Sequence, residues 1–173
     1  MTLHPGIAKI SFTGTIATGK RVMAACAKTL KRVTLELAGN NACVVLPDAD
    51  LDKTIPSVAS GGFFHSGQVC VASKRIYVHE SIYDEFLARL IKEVETSYTI
   101  NEDPTAPSVF GPLSNKQQFD TVKGIFDDSK KNGHEIVLGG ATTNVAGKGF
   151  WLPPTIVSRP PEDSWLVKEE QFG

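Results

Sequence analysis

Short, mostly apolar segments alternate with longer amphipathic segments along this chain, and this alternation limits its possible folds most strongly. Residues 9–12, 42–46 and 75–78 have the length and side chains of strands. The segments that follow them repeat apolar residues every three or four positions, as helices with one buried face do. Strands that alternate with helices favour an α/β fold with a layered, largely parallel sheet and helices on both faces.

Acidic and hydroxyl side chains mark the expected starts of three of these helices. Asp48 or Asp50 precedes the first apolar repeat, Ser81 precedes the second, and Ser114 precedes the third. Such side chains accept hydrogen bonds from the free amides of the first helical turn. From Ala141 onward the chain is rich in proline, and we expect it to be mostly extended.

The composition excludes several classes of function. The 173 residues have a net charge of −1 and no basic stripe, which argues against nucleic acid or an anionic membrane as a partner. The apolar stretches are too short to cross a bilayer, and the N-terminus lacks the features of a secretion signal. We therefore expect a cytoplasmic protein.

The cysteine and histidine residues indicate neither a disulfide framework nor a metal site. The three cysteines, at positions 26, 43 and 70, form no CxxC pair, and their number is odd. The four histidines have no zinc-ligand spacing relative to them. We expect no metal, and we expect Cys26 and Cys43 to be core residues.

Four segments of the chain resemble the NAD(P)-dependent aldehyde dehydrogenase superfamily. They are FTGTIATGK (12–20), VTLELAGN (33–40), FFHSGQVCVASKRIYV (63–78) and KEEQFG (168–173). They follow the family's order and intervals, and Cys70 lies 70 − 36 = 34 positions after Glu36. The resemblance covers nearly the whole chain and implies the C-terminal strip of a dinucleotide-binding domain (residues 1–37) and an incomplete catalytic domain (38–173).

The resemblance implies that Cys70 is the catalytic nucleophile and that Glu36 is the general base. A cysteine thiolate adds to the aldehyde to give a thiohemiacetal, which becomes a thioester after its hydride leaves. Glu36 then activates the water that releases the carboxylic acid. Without the motifs, Cys70 would more simply be a small buried side chain and Glu36 a solvated strand residue.

The resemblance also implies a cofactor, NAD or NADP, and the residues that bind it. Gly14, Thr15 and Gly19 follow a predicted strand and precede a helix expected to begin at Thr18 or Gly19. Such a turn lets the backbone approach a pyrophosphate at a helix N-terminus. Glu170 matches the acidic residue that holds the nicotinamide ribose, and Phe172 would pack beside the nicotinamide.

The chain departs from the family pattern after Glu36, where Ala38 and Asn40 stand in place of a glycine and a lysine. The added methyl group of Ala38 is expected to reshape the site without removing a reacting group. The substrate is expected to be a small-molecule aldehyde, and the parent protein a homo-oligomer, as its relatives are.

Both ends of the chain are expected to be cut, because it starts almost at once on a predicted strand and ends at EEQFG without a terminating element. Most of the cofactor cradle would then be missing, so we expect this chain alone to oxidise aldehydes poorly or not at all. Two alternatives are an inert module that acts in folding or interaction and a cysteine-dependent esterase without nucleotide.

Overall fold

A computed structural model describes residues 1–101, 110–141 and 149–173 of the chain. The strands are β1 (Lys9–Thr13), β2 (Arg32–Glu36), β3 (Asn41–Val45), β4 (Ser73–Val78), β5 (Glu135–Leu138) and β6 (Ile156–Ser158). The helices are α1 (Ile16–Ala27), α2 (Leu51–Phe63), α3 (Tyr83–Ser97), α4 (Lys116–Lys131) and α5 (Trp165–Lys168). Two 3₁₀ helices, Phe64–Gly67 and Glu80–Ile82, follow α2 and precede α3.

The strands pair in twos. β1 pairs with β2 and β3 with β4, both in parallel, whereas β5 and β6 are antiparallel. Each parallel connection runs through a helix, α1 in the first pair and α2 in the second. An α/β fold with largely parallel strand pairing is thereby confirmed, although the described strands form three separate pairs.

The chain divides into two compact units, Met1–Gly39 and Asn40–Gly173. The first unit contains β1, α1 and β2, and the second contains all the later elements. The domain boundary expected after residue 37 falls among the last residues of the first unit.

The first unit packs α1 against the β1–β2 pair. Ile10 on β1 and Cys26 on α1 are buried. Gly19 allows a close approach, because a Cβ atom at this position would lie 2.3 Å from Leu37 Cδ2. Lys31 donates hydrogen bonds from Nζ to the carbonyl oxygens of residues 4 (2.7 Å) and 7 (2.6 Å), which tie the N-terminal segment to the start of β2.

The second unit has its main core where α2 and α3 pack on the β3–β4 pair. The inward positions of the two helices follow the predicted spacing of three and four residues. The buried members of this core are Val45, Ile55, Val58, Ala59, Phe86, Leu90, Val94, Tyr98 and Phe110. A smaller cluster joins α4 to the segment before β6 and contains Leu113, Val122 and Leu152.

The helix caps agree only partly with the prediction. Asp50 caps α2 as expected, and its carboxylate accepts from the Asp52 N–H (3.1 Å). The predicted cap at Ser81 was wrong, because Ser81 lies in a 3₁₀ helix and α3 begins only at Tyr83, without a side-chain cap. The predicted cap at Ser114 was also wrong. Asn115, which has an extended backbone, caps α4, and its side-chain oxygen accepts a hydrogen bond from the Gln118 N–H (2.9 Å).

The segment after Ala141 has more regular structure than its composition predicted. Residues 142–148 lie outside the described residues, but β6 and α5 follow them. Both elements are only three or four residues long, which is too short for a periodic pattern to be recognised. No helix in the described part of the chain has the length and apolar character needed to span a bilayer.

Candidate active site

Cys70 lies in the loop between the first 3₁₀ helix and β4. A tight turn holds it, because the Ala72 N–H donates to the carbonyl oxygen of Val69 (3.0 Å). Asn41, at the start of β3, donates from Nδ2 to the carbonyl oxygens of Cys70 (2.7 Å) and Ala72 (3.0 Å). The main chain of the nucleophile candidate is therefore fixed by the neighbouring strand.

The exposure of the three cysteines separates Cys70 from the other two. Cys70 is exposed, Cys43 is half-buried against the main core, and Cys26 has no exposed surface. An accessible thiol in a loop can meet a substrate, whereas a thiol enclosed by apolar side chains is inert. The placement of Cys26 and Cys43 agrees with their expected core roles.

A left-handed turn precedes the Cys70 loop. His65, Ser66 and Gly67 have φ angles of 54°, 54° and 71°, so three successive residues adopt a conformation that L-residues disfavour. Of these three residues, only Gly67 is of a type that adopts this conformation without a steric penalty. Non-glycine residues in this conformation cost on the order of 1–3 kcal/mol each and persist only where their surroundings hold them.

Lys74 on β4 connects this turn to the last residues of the chain. Its ammonium nitrogen donates to the carbonyl oxygen of Gly173 (3.2 Å) and lies 2.0 Å from the position that a Cβ on Gly67 would take. Burial lowers the pKa of Lys74 to about 8, and the negative charge of Glu170 opposes this shift. Arg75 instead donates to the carbonyl oxygen of Asn40 (3.0 Å from Nε and 2.7 Å from Nη2).

The C-terminal EEQFG segment is held by polar contacts to α4 and α5. Gln118 on α4 donates from Nε2 to the carbonyl oxygen of Gln171 (2.7 Å). The buried Gln171 side chain donates to the carbonyl oxygens of Glu169 (2.9 Å) and Leu166. Glu170 and Phe172, the two cofactor candidates here, are half-buried, and Phe172 has a positive φ of 53°.

The cofactor candidates of the first unit surround the start of α1. The helix begins at Ile16, earlier than expected, because Thr15 caps it and accepts from the Thr18 N–H (3.3 Å). Gly19 therefore lies inside the first turns, and its N–H donates to the Thr15 carbonyl oxygen (2.9 Å). The first turn carries no acidic side chain, so the partial positive charge of the helix N-terminus is not neutralised there.

Glu36 ends β2 with an exposed side chain. Its carbonyl oxygen accepts from the Gly14 N–H (3.0 Å), so the structure brings Glu36 and the turn before α1 together. Glu36 belongs to the first unit and Cys70 to the second, and their mutual approach stays a prediction.

An apolar cavity of about 580 Å³ lies in the second unit between α2, β4 and the segment leading to β6. Ser66, Lys74 and Gly173 contribute to its wall, but Cys70 does not. Within residues 1–101, 110–141 and 149–173, no three His, Cys, Asp or Glu side chains are grouped as metal ligands would be.

Known proteins resemble this chain along its whole length. The model of the aldehyde dehydrogenase family matches residues 1–173. Aldehyde dehydrogenase LUC3 from Fusarium sp is 42% identical over 170 residues, which are 98% of this chain and 36% of that protein. Human aldehyde dehydrogenase 1A1 is 39% identical over 171 residues, 98% of this chain and 34% of that protein.

Solved structures of aldehyde dehydrogenases share the fold of this chain. Aldehyde dehydrogenase C from Pseudomonas syringae, a mutant solved with NAD⁺ and octanal, is 32% identical with a TM-score of 0.91. That match covers 100% of this chain and 36% of the solved one. The chain thus spans about a third of the length of the proteins it matches. With a family match over all 173 residues, this chain belongs to the aldehyde dehydrogenase family.

Proposed function

We propose that this chain supplies the nucleophile and the general base of an NAD(P)-dependent aldehyde dehydrogenase. Cys70 is the nucleophile and Glu36 is the base. The observation that carries the proposal is the exposed Cys70 thiol in the SGQVC segment, on a main chain that Asn41 holds (2.7 Å to the Cys70 carbonyl oxygen). Family membership supports the reaction class.

The proposed reaction begins when the Cys70 thiolate forms a bond to the aldehyde carbon, which turns the carbonyl oxygen into an alkoxide. The Cys70 N–H stabilises this alkoxide. A bound oxidised nicotinamide would supply the acceptor for the hydride of the aldehyde carbon. Glu36 then accepts a proton from a water that attacks the resulting thioester, and the thiolate leaves as the carboxylic acid forms.

We propose that the start of α1 binds the cofactor pyrophosphate. The fit rests on a first helical turn without acidic residues, because main-chain N–H groups and the helix dipole favour an anion there. Gly14, Thr15 and Gly19 would approach the phosphates, Glu170 would hold the ribose hydroxyls, and Phe172 would border the nicotinamide. Bound NAD⁺ in the Pseudomonas syringae relative supports a nicotinamide cofactor, NAD or NADP.

An ester substrate tests both catalytic assignments without nucleotide. With p-nitrophenyl acetate, the wild-type chain should release one equivalent of p-nitrophenolate rapidly and then turn over slowly, with an acetyl group detected on Cys70 by mass spectrometry. Cys70→Ser should lose both phases. Glu36→Gln should keep the burst and accumulate acetylated Cys70, because the base acts only in hydrolysis.

Glu80→Gln provides a matched control, because Glu80 is an exposed glutamate in a 3₁₀ helix away from the Cys70 loop. This variant should behave as the wild type does. Equal turnover by Glu36→Gln and the wild type would contradict the role of Glu36, and acetylation elsewhere than Cys70 would contradict the nucleophile.

A further inference from the structure

Two side chains that flank Gly67 bind the main chain of a segment distant in sequence. Ser66 is 3% exposed, and its hydroxyl donates to the carbonyl oxygen of Gly111 (2.8 Å). The same hydroxyl oxygen accepts from the Gly111 N–H (2.8 Å). A single side chain therefore satisfies both main-chain polar groups of Gly111.

Gln68 forms a second pair of such bonds two residues later. Its Oε1 accepts from the Ser114 N–H (2.9 Å), and its Nε2 donates to the carbonyl oxygen of Pro112 (3.4 Å). We call these four hydrogen bonds, from Ser66 and Gln68 to the main chain of residues 111–114, the latch. The latch places both side chains on one short segment that leads into α4.

The latch acts on the strained turn that precedes the Cys70 loop. His65 and Ser66 adopt positive φ angles of 54°, and neither residue has the conformational freedom of glycine. Without external partners this turn would relax towards right-handed or extended conformations. The two short bonds of the buried Ser66 hydroxyl to Gly111 supply such partners inside the turn, and Gln68 supplies them at its end.

Cys70 is consequently held from two sides. Asn41 binds the carbonyl oxygen of Cys70 (2.7 Å) on the side of β3, and the latch fixes the residues just before Cys70. The Cys70 sulfur and the Cys70 N–H belong to one residue, but their directions depend on the main-chain conformation that leads into it. A substrate oxygen can be stabilised only if the N–H points to where the charge develops.

We propose that Ser66 and Gln68 are positioning residues that orient the Cys70 thiol and the Cys70 N–H for attack on a carbonyl group. This proposal rests on the proposed role of Cys70 as the nucleophile. The latch contributes to the acylation step by holding Cys70 in the conformation that this step needs. In acylation the sulfur–carbon bond forms, an alkoxide develops, and the leaving group then departs with its electron pair. Simple accessibility of the thiol does not require the latch.

The test compares two reactions of Cys70 in the 173-residue chain. Acylation by p-nitrophenyl acetate needs both the sulfur and the N–H, whereas alkylation by iodoacetamide needs only an accessible thiolate that displaces iodide. Ser66→Ala and Gln68→Leu should each lower the acylation rate constant by about tenfold, since small misplacements of reacting groups have such effects. The alkylation rate should stay within about twofold of the wild-type value.

Conservative and remote variants serve as controls. Gln68→Glu keeps the acceptor for the Ser114 N–H and loses the donor to Pro112, so it should acylate faster than Gln68→Leu. Ser57→Ala on α2 and Gln117→Leu on α4 alter exposed positions of the same residue types and should leave both rates unchanged. Circular dichroism and urea unfolding identify any variant that fails to fold. If Ser66→Ala fails to fold, the test rests on Gln68→Leu, whose side chain is less buried.

Unchanged acylation in folded latch variants would overturn the proposal, and so would equal losses of acylation and alkylation. A wild-type chain that forms no acyl-enzyme would instead refute the proposed function. Amide hydrogen exchange at residues 65–72 would then test whether the latch restrains the main chain before Cys70. Faster exchange in Ser66→Ala and Gln68→Leu would support its hold on the loop, and unchanged exchange would overturn it.

Discussion

Lys74 is a half-buried cation on β4, and its environment penalises its charge. The ammonium group has a hydrogen bond to the Gly173 carbonyl oxygen (3.2 Å) and a favourable interaction with Glu170. Burial nevertheless dominates and lowers the pKa of Lys74 to about 8 from the ordinary value of 10.5. The charged form therefore reduces the free energy of unfolding, and the neutral form does not.

This shift predicts a pH-dependent difference between the wild type and Lys74→Met. Below pH 8 the lysine is charged in both the folded and the unfolded state, and its full penalty is present. Between about pH 8 and pH 10.5 the unfolded state binds more protons, so the free energy of unfolding of the wild type rises relative to that of the variant. This gain in the free energy of unfolding is at most about 3 kcal/mol.

Urea unfolding of both proteins from pH 7 to pH 10.5 measures this difference, and the other titrating groups cancel because both proteins share them. Lys116→Met, at an exposed lysine of α4 that pairs with Asp120, serves as the control for the same substitution outside a buried environment. A constant difference between the wild type and Lys74→Met across this range would contradict the lowered pKa.

At the scale of single elements, the turn formed by residues 65–67 predicts a specific effect of a methyl group. Gly67 has a φ of 71°, and a Cβ at this position would lie 2.0 Å from Lys74 Nζ. Gly133 after α4 has a similar φ of 68°, but a Cβ there would meet nothing within 4 Å. Gly67→Ala combines backbone strain with a clash, whereas Gly133→Ala has only the strain.

We expect Gly133→Ala to lower the free energy of unfolding by about 1 kcal/mol and Gly67→Ala by about 2–4 kcal/mol. Urea unfolding at pH 7 measures both changes. Adding Lys74→Met to Gly67→Ala should recover part of the loss, because the methionine lacks the ammonium group and can move. Equal losses for the two glycine variants would indicate that the Lys74 contact has no energetic effect.

The elements that the sequence predicted correctly are those with a repeated pattern. The inner face of α3, with Phe86, Leu90 and Val94 buried, follows from apolar spacing alone because the helix is long enough to show its period. The first residue of a helix depends on the φ and ψ angles of single residues, which the apolar pattern does not reveal. The prediction therefore placed the cap of α4 at Ser114, although Asn115 is the cap. The short β6 and α5 depend on tertiary contacts and had no local signal.

The sequence carries a signal for the candidate site only within its motifs. The SGQVC segment predicts Cys70 as the nucleophile and the family interval predicts Glu36 as the base, and both stay predictions. The latch joins Ser66 and Gln68 to residues 111–114, about 45 positions further along the chain. Ser66 and Gln68 are ordinary loop residues by type, and nothing in the local pattern indicates that their partners are main-chain groups of a distant segment.

At the scale of the whole molecule, the two units contribute different parts of the proposed reaction. The second unit contains Cys70, its turn and the EEQFG segment, and the first contains Glu36 and the start of α1. Ester acylation needs only Cys70 and the residues that position it, all in the second unit, but aldehyde oxidation also needs a firmly held nicotinamide. In this chain, the first unit offers one helix and two strands for the dinucleotide.

We therefore expect the 173-residue chain to acylate at Cys70 but to produce little NADH or NADPH from aldehydes. Absorbance at 340 nm with octanal and either NAD⁺ or NADP⁺ measures oxidation, and p-nitrophenyl acetate measures acylation in the same preparation. Because hydride transfer fails when the nicotinamide is misplaced, oxidation should lie at least about a hundredfold below acylation. Sustained aldehyde-dependent NADH formation that Cys70→Ser abolishes would contradict this expectation and show that the chain holds the nicotinamide firmly enough for hydride transfer.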